Sequence, residues 1–311
     1  MDADLLGELL DPLRLSGVFH SRWRAHAPWG VVGERDDCAL LHYVQEGECV
    51  IEAVEGVGPV RLHAGDLAVF PHGDGHRLGD ASGGSAVPLA GLLPARRPGA
   101  VATVEIPGDG PVTTMLCGGL HYEAAAASPL YRALPPMLVL DRTDLARHPL
   151  LADTLHKLAE EWTDGEPGAG LVALRAFELV YVLALRAAVS RDDCDAPAVL
   201  RAMRDPAIGR ALLALQTRYA EPWTLASLAA EAGLSRSAFA ATFRDLVGAP
   251  PMRHLAERRM REAARLLTTT SIPTAAVAER VGYASAVGFH LAFRSWAGTT
   301  PGEYRRVRPA A

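Results

Sequence analysis

Over the first 122 or so residues the apolar positions come in short runs, at 39–44, 49–53, 60–63, 67–70 and 113–116, each closed by a turn such as Glu-Gly, Gly-Pro, Ala-Gly-Asp or Pro-His-Gly. That rhythm predicts short strands folded into a small antiparallel barrel. The stretches 79–84 and 95–99 read as loops. From about Asp144 the period becomes helical, with one helix over 150–162, a break over 165–170 and a second helix over 171–189. Two adjacent amphipathic helices predict an antiparallel hairpin. Its apolar stripe (Leu171, Leu174, Tyr181 and Leu185) needs a partner, and a second copy of the chain is the expected one. Residues 191–197 read as a linker, and Pro206 opens the last part.

The last hundred residues carry one pattern twice. The first pass is Leu228-Ala229, Gly233-Leu234-Ser235, Phe239, Phe243, Gly248 and Pro251; the second is Val277-Ala278, Gly282-Tyr283, Phe289, Phe293, Gly298 and Pro301. The offset is 49 residues at Gly233 and Gly282 and 50 at Phe239 and Phe289, so one supersecondary unit is used twice. Each pass reads as a helix-turn-helix. Thr224 and Ser235 are expected to cap the helices of the first, Ser271 and Ser285 those of the second, with Pro273 in a first helical turn. Each phenylalanine pair is four apart and faces the preceding helix, which leaves the opposite face free to enter a groove.

Between the units, 252–268 reads as one helix of about 17 residues, hence roughly 26 Å. Such a rod could hold two reading helices for major grooves about one turn, roughly 34 Å, apart. At this point residues 208–306 resemble the tandem DNA-binding domain of AraC/XylS-type transcriptional regulators, and Gly298-Thr-Thr-Pro301-Gly-Glu303-Tyr304-Arg305 is similar to that family's closing signature. Carried over position by position, the resemblance assigns DNA contact to Arg236, Ser237, Ala240, Ala241 and Arg244 in the first unit. In the second it assigns Ala286, Val287, His290, Leu291 and Arg294. It implies double-stranded DNA and RNA polymerase as partners. Arginine can grip phosphate or guanine, whereas alanine and valine can touch only a thymine methyl.

Charge supports this division. The chain of 311 residues carries −5 overall, but from residue 207 onward there are 14 arginines, no lysine and 7 acids, a net of +7, which leaves −12 for the rest. The longest central apolar run, 179–185, is bracketed by Glu178 and Arg186, and the first residues are acidic, so a cytoplasmic protein without a membrane span is expected. Cys38, Cys49, Cys117 and Cys194 are spaced irregularly, as reduced thiols are.

The barrel has its own motif. From Gly65 to His76, with Pro71 and Gly73 between, the chain fits the second conserved motif of cupins, while the first survives only as His42, Val44 and Gly47. The N-terminal half therefore resembles the divergent cupin sensor found in one subgroup of AraC-type regulators. That resemblance implies metal ligation, by a divalent ion such as zinc, at His42 and His76, and Cys117 with His121 could complete the site. Plain packing inside the barrel is the competing reading. A thiol of lowered pKa among Cys49 and Cys117 would make the barrel an oxidant sensor.

The expected organisation is α+β: a cupin-like β-barrel over 1–125, a helical hairpin linker over 126–205 and an all-α domain with two helix-turn-helix motifs over 206–308. The function it predicts is a DNA-binding transcriptional regulator, not an enzyme. Its barrel senses a small molecule, a metal or an oxidant. A DNA-tethered cupin metalloenzyme, or an inert cupin oligomerisation module, are the alternatives.

Overall fold

The computed structural model describes residues 5–10, 17–53, 58–83, 85–93, 101–122, 129–160, 167–191 and 197–307. The strands are β1 (Gly17–His26), β2 (Gly30–Gly33), β3 (Cys38–Glu46), β4 (Glu48–Ala53), β5 (Val60–His63), β6 (Leu67–Phe70), β7 (His76–Gly79), β8 (Val87–Pro88), β9 (Val101–Ile106), β10 (Val112–His121) and β11 (Leu138–Leu140). The helices of the first two-thirds are α1 (Leu5–Leu10), α2 (Pro129–Arg132), α3 (Arg142–Ala146), α4 (Pro149–Glu160), α5 (Ala169–Ser190) and α6 (Ala198–Arg204). Those of the last third are α7 (Pro206–Thr217), α8 (Leu225–Ala232), α9 (Arg236–Val247), α10 (Pro251–Thr269), α11 (Thr274–Arg280), α12 (Ala286–Ala297) and α13 (Pro301–Val307).

The chain forms two compact units. One comprises 14–123 and 135–193; the other comprises 1–13, 124–134 and 194–311. These units do not follow three consecutive segments as the sequence reading divides the chain: α4 and α5 group with the strands, while α1, α2 and α6 group with the helix-turn-helix elements. The loop expected over 95–99, Cys194 and most of the 191–197 linker lie outside the described residues.

In the first unit a six-stranded sheet, β11-β6-β3-β10-β1-β9, faces a five-stranded one, β5-β4-β7-β2-β8. Both contribute to one core: Trp23, Val44, Phe70, Val104, Met115 and Cys117 come from the first sheet, Val31, Cys49, Ile51, Leu62 and Leu78 from the second. The sheets are mixed, because edge strands β9 and β8 run parallel to β1 and β2. Phe177 of α5 lies against His20 of β1, ring centroids 5.2 Å apart, so the helix covers the six-stranded sheet. Tyr181 and Leu185 are buried with it, which corrects the stripe expected to face a partner: of its four members only Leu171 is exposed.

In the second unit the two repeats fold alike. Thr224 and Ser227 form a reciprocal cap on α8. Ser235 caps α9 by accepting from the Ala238 amide, and Ser285 caps α12 by accepting from the Gly288 amide. Phe239, Phe243, Phe289 and Phe293 are all fully buried. One cap differs from expectation. α11 begins at Thr274 with Pro273 itself in the cap position and no side-chain cap, because the fixed φ of proline sets the extended entry that Ser271 was expected to provide. α10 runs 19 residues, about 28 Å, between the two repeats.

Candidate nucleic-acid interface and barrel site

The outward faces of α9 and α12 are open. Arg236, Ser237, Ala241 and Arg244 are exposed and Ala240 is half-buried; Ala286, Val287, His290, Leu291 and Arg294 are all exposed. Burial of the phenylalanines on the opposite side dictates this orientation, since residues four apart share a helix face. All ten positions are therefore on the surface, in two sets on two equivalent helices.

The arginines of this unit divide by what they touch. Arg259 donates from Nε to the Tyr219 carbonyl (2.8 Å) and from Nη2 to the Glu221 carbonyl (2.7 Å). Arg210 donates to the Ala232 carbonyl at the end of α8, and Arg305 to the Leu267 and Ile272 carbonyls. Arg218 pairs with Glu231, Arg253 with Glu257, and Arg258 and Arg265 with Glu262. Arg236 and Arg244, in contrast, have no hydrogen bond or ion pair from their guanidinium groups among the described residues. A charge count cannot make this distinction, because the internal acceptors are carbonyls as far as 40 residues away.

In the barrel, His42 on β3 and His76 on β7 meet, Nε2 to Nε2 at 2.8 Å. His76 stacks on Phe70, centroids 4.0 Å apart. The protons can be placed by elimination. The Asp74 carbonyl, 2.8 Å from His76 Nδ1, can only accept, so Nδ1 carries the proton and His76 Nε2 is an acceptor. His42 Nε2 must then donate, which leaves His42 Nδ1 a bare lone pair. That atom is buried and has no hydrogen-bond partner among the described residues. Both rings are held neutral: burial first and His76 second push the His42 pKa well below its usual value, and burial lowers that of His76 against the opposing Asp74 backbone contact.

Cys117 stands opposite His42 in the β3–β10 pairing. The metal site is nevertheless not assembled. Two imidazole nitrogens on one tetrahedral zinc at 2.0–2.1 Å would be about 3.3 Å apart, whereas these share a proton at 2.8 Å. Among the described residues no three His, Cys, Asp or Glu side chains are grouped to hold a metal ion. His121 lies against the Phe19 ring instead. The lowered thiol pKa expected from the sequence is not met either. Burial, with Asp66 and Glu48 behind it, pushes the Cys49 thiol up to about 12, and burial followed by Cys49 raises Cys117 well above its usual value. Both are held as protonated thiols in this environment.

The chain matches the Cupin family model over residues 4–190 and a helix-turn-helix domain model over 228–307. It is 31% identical to the RCS-specific HTH-type transcriptional activator RclR of Escherichia coli over 65% of this chain and 72% of that one. It is 24% identical to the HTH-type transcriptional regulator AlkR of Acinetobacter baylyi over 97% and 99% of the respective chains. Among solved structures, the DNA-binding domain of AdpA in complex with a target DNA aligns at 35% identity, covering 33% of this chain and 92% of that one, with a TM-score of 0.32. No helix among the described residues is long and apolar enough to cross a membrane. A cupin-type N-terminal half joined to tandem helix-turn-helix units places the chain in the AraC family, as a DNA-binding regulator of transcription.

Proposed function

We propose that α9 and α12 read DNA through the ten outward residues named above, and that the barrel biases this reading by binding a small molecule rather than by turning one over. The supporting observation is that Arg236 and Arg244, on the outward face of α9, are without partners among the described residues, while Arg210, Arg259 and Arg305 are bonded to backbone carbonyls. The first group is available to phosphate and base edges; the second holds the unit together.

The sensor end of the proposal is the bare acceptor at His42 Nδ1. A buried acceptor without a donor costs about 1–3 kcal/mol. An effector presenting a hydroxyl or amine to it recovers that cost only in the state that admits it, which is the differential binding any such switch requires. A homodimer is the further assembly proposed, through the outward face of α5, where Leu171, Val172, Leu179 and Val182 are exposed. RNA polymerase is the machinery on which the bound regulator acts.

The test is DNA binding by the full-length chain across a salt series. Wild type is expected to weaken steeply, log K falling by about 0.9 per phosphate neutralised for each unit of log salt. Arg244→Ala should lower affinity for specific and random duplexes alike and flatten the slope by about one phosphate. An unchanged slope removes Arg244 from the interface. Sedimentation of wild type against Leu179→Glu tests the dimer, which a monomeric wild type at micromolar concentration contradicts.

A further inference from the structure

The two reading helices present different chemistry. α9 turns Arg236, Ser237 and Arg244 outward, whereas α12 turns out carbon: Val287 is 72% exposed and Leu291 68%, the highest values for large apolar side chains among the described residues. They are four apart and so lie one turn from each other on one side of the helix, with His290 beside them and Arg294 a turn further on. The Ser285 cap fixes where the helix starts, its Oγ accepting from the Gly288 amide at 3.1 Å, so Val287 sits in the first turn. That turn is the part of a reading helix that meets base edges. Val287 and Leu291 are not surplus packing, because Phe289 and Phe293 already fill the inner face. In the major groove the C5-methyl of thymine is the one alkyl group that a base edge presents, beside donors, acceptors and the small C5–H of cytosine.

We infer that Val287 and Leu291 read thymine methyl groups, so that the half-site of the second helix-turn-helix is defined by thymines at two positions while that of the first helix-turn-helix is read through hydrogen bonds from α9. This rests on the proposal that both helices enter DNA. It commits DNA as the occupant of this apolar face, because residues 207–311 carry a net +7 and Arg294 lies on the same face, complementary to phosphate on either side of the bases.

The full-length chain is first used to select binding duplexes from a random pool. Each thymine of the selected site is then replaced singly by deoxyuridine, which removes the methyl and leaves every donor and acceptor in place. Two positions in one half are expected to lose about fourfold in affinity each, the equivalent of ~0.8 kcal/mol per buried methyl. Val287→Ala should abolish the loss at one of them and Leu291→Ala at the other, each variant retaining the penalty at its neighbour's position. Both side chains are on the surface, and circular dichroism confirms that the variants are folded. Deoxyuridine without effect anywhere, or a penalty unchanged in both variants, overturns the inference while leaving DNA reading intact. Unchanged binding with lost reporter transcription overturns it too, by assigning the face to a protein partner. A pool that yields no enriched sequence removes DNA reading itself, and the inference with it.

Discussion

His254 shows how far one residue's environment can depart from its sequence context. It is 1% exposed on α10, its ring edge-on to Phe243 at 5.8 Å, and neither ring nitrogen has a hydrogen-bond partner among the described residues. Burial first, then the charges of Arg261 and Arg258, push its pKa from 6.5 down to about 4. The folded form therefore holds His254 neutral where the unfolded chain would protonate it. Its contribution is fully present above pH 6.5 and is lost as pH falls through about 4, a total of about 3 kcal/mol. His254→Leu should flatten the decline in stability between those values. It should also leave the protein at least as stable at pH 8, since the unpartnered nitrogens are gone. Denaturant titrations at pH 8 and pH 5 measure both effects, and parallel declines for wild type and variant would show that other groups govern the acid limb. At this scale the sequence marks His42 and His76 as a pair through the cupin spacing. It cannot assign their tautomers, because those depend on the Asp74 carbonyl and on how closely β3 approaches β7.

At the scale of elements, the two turn glycines look equivalent in sequence and are not. Gly233 and Gly282 both have positive φ, +71° and +79°. A Cβ on Gly233 would meet nothing nearer than Arg210 Nη2 at 3.5 Å, whereas on Gly282 it would fall 2.3 Å from the Ala220 carbonyl oxygen. Ala220 belongs to the segment that Arg259 grips through the Tyr219 and Glu221 carbonyls, so the turn of the second helix-turn-helix is seated on the connection between α7 and α8. Gly233→Ala should cost about 1–2 kcal/mol, the left-handed backbone penalty alone. Gly282→Ala should cost more, since Ala220 must also move, and thermal melts of the two variants separate the cases. Equal losses would mean that the seat is soft. Helix positions were legible because period, caps and turn glycines agree over 224–303. β1 was not picked out. It lies between β10 and β9 with α5 laid over it, so His20 and Ser21 are buried and no alternation of polar with apolar residues marks the strand.

Over the whole molecule, the basic charge collected after residue 206 points to a DNA-binding part but does not locate its edge. Pro206 looks like the start of a domain, yet its role is local: Asp205 caps α7 by accepting from the Ala207 and Ile208 amides, and proline suits the first turn that follows. The packing continues upstream. α6 buries Val199 and Leu200 and contacts both α7 and α9, while α1 packs on α7 and α2 on α10. A fragment of residues 206–308 therefore lacks apolar cover that the intact unit has. Restoring α6 in a fragment of residues 197–308 adds two large buried side chains, each contributing about 1.5–3 kcal/mol at full burial. The longer fragment should resist denaturant more strongly by at least ~2 kcal/mol and, with α9 held in place, bind DNA at temperatures where the shorter one has melted. Urea titration and binding at 37 °C compare the two directly. Equal stability would make α6 an appendage on the surface, and the functional unit would then begin at Pro206 as its sequence alone implies.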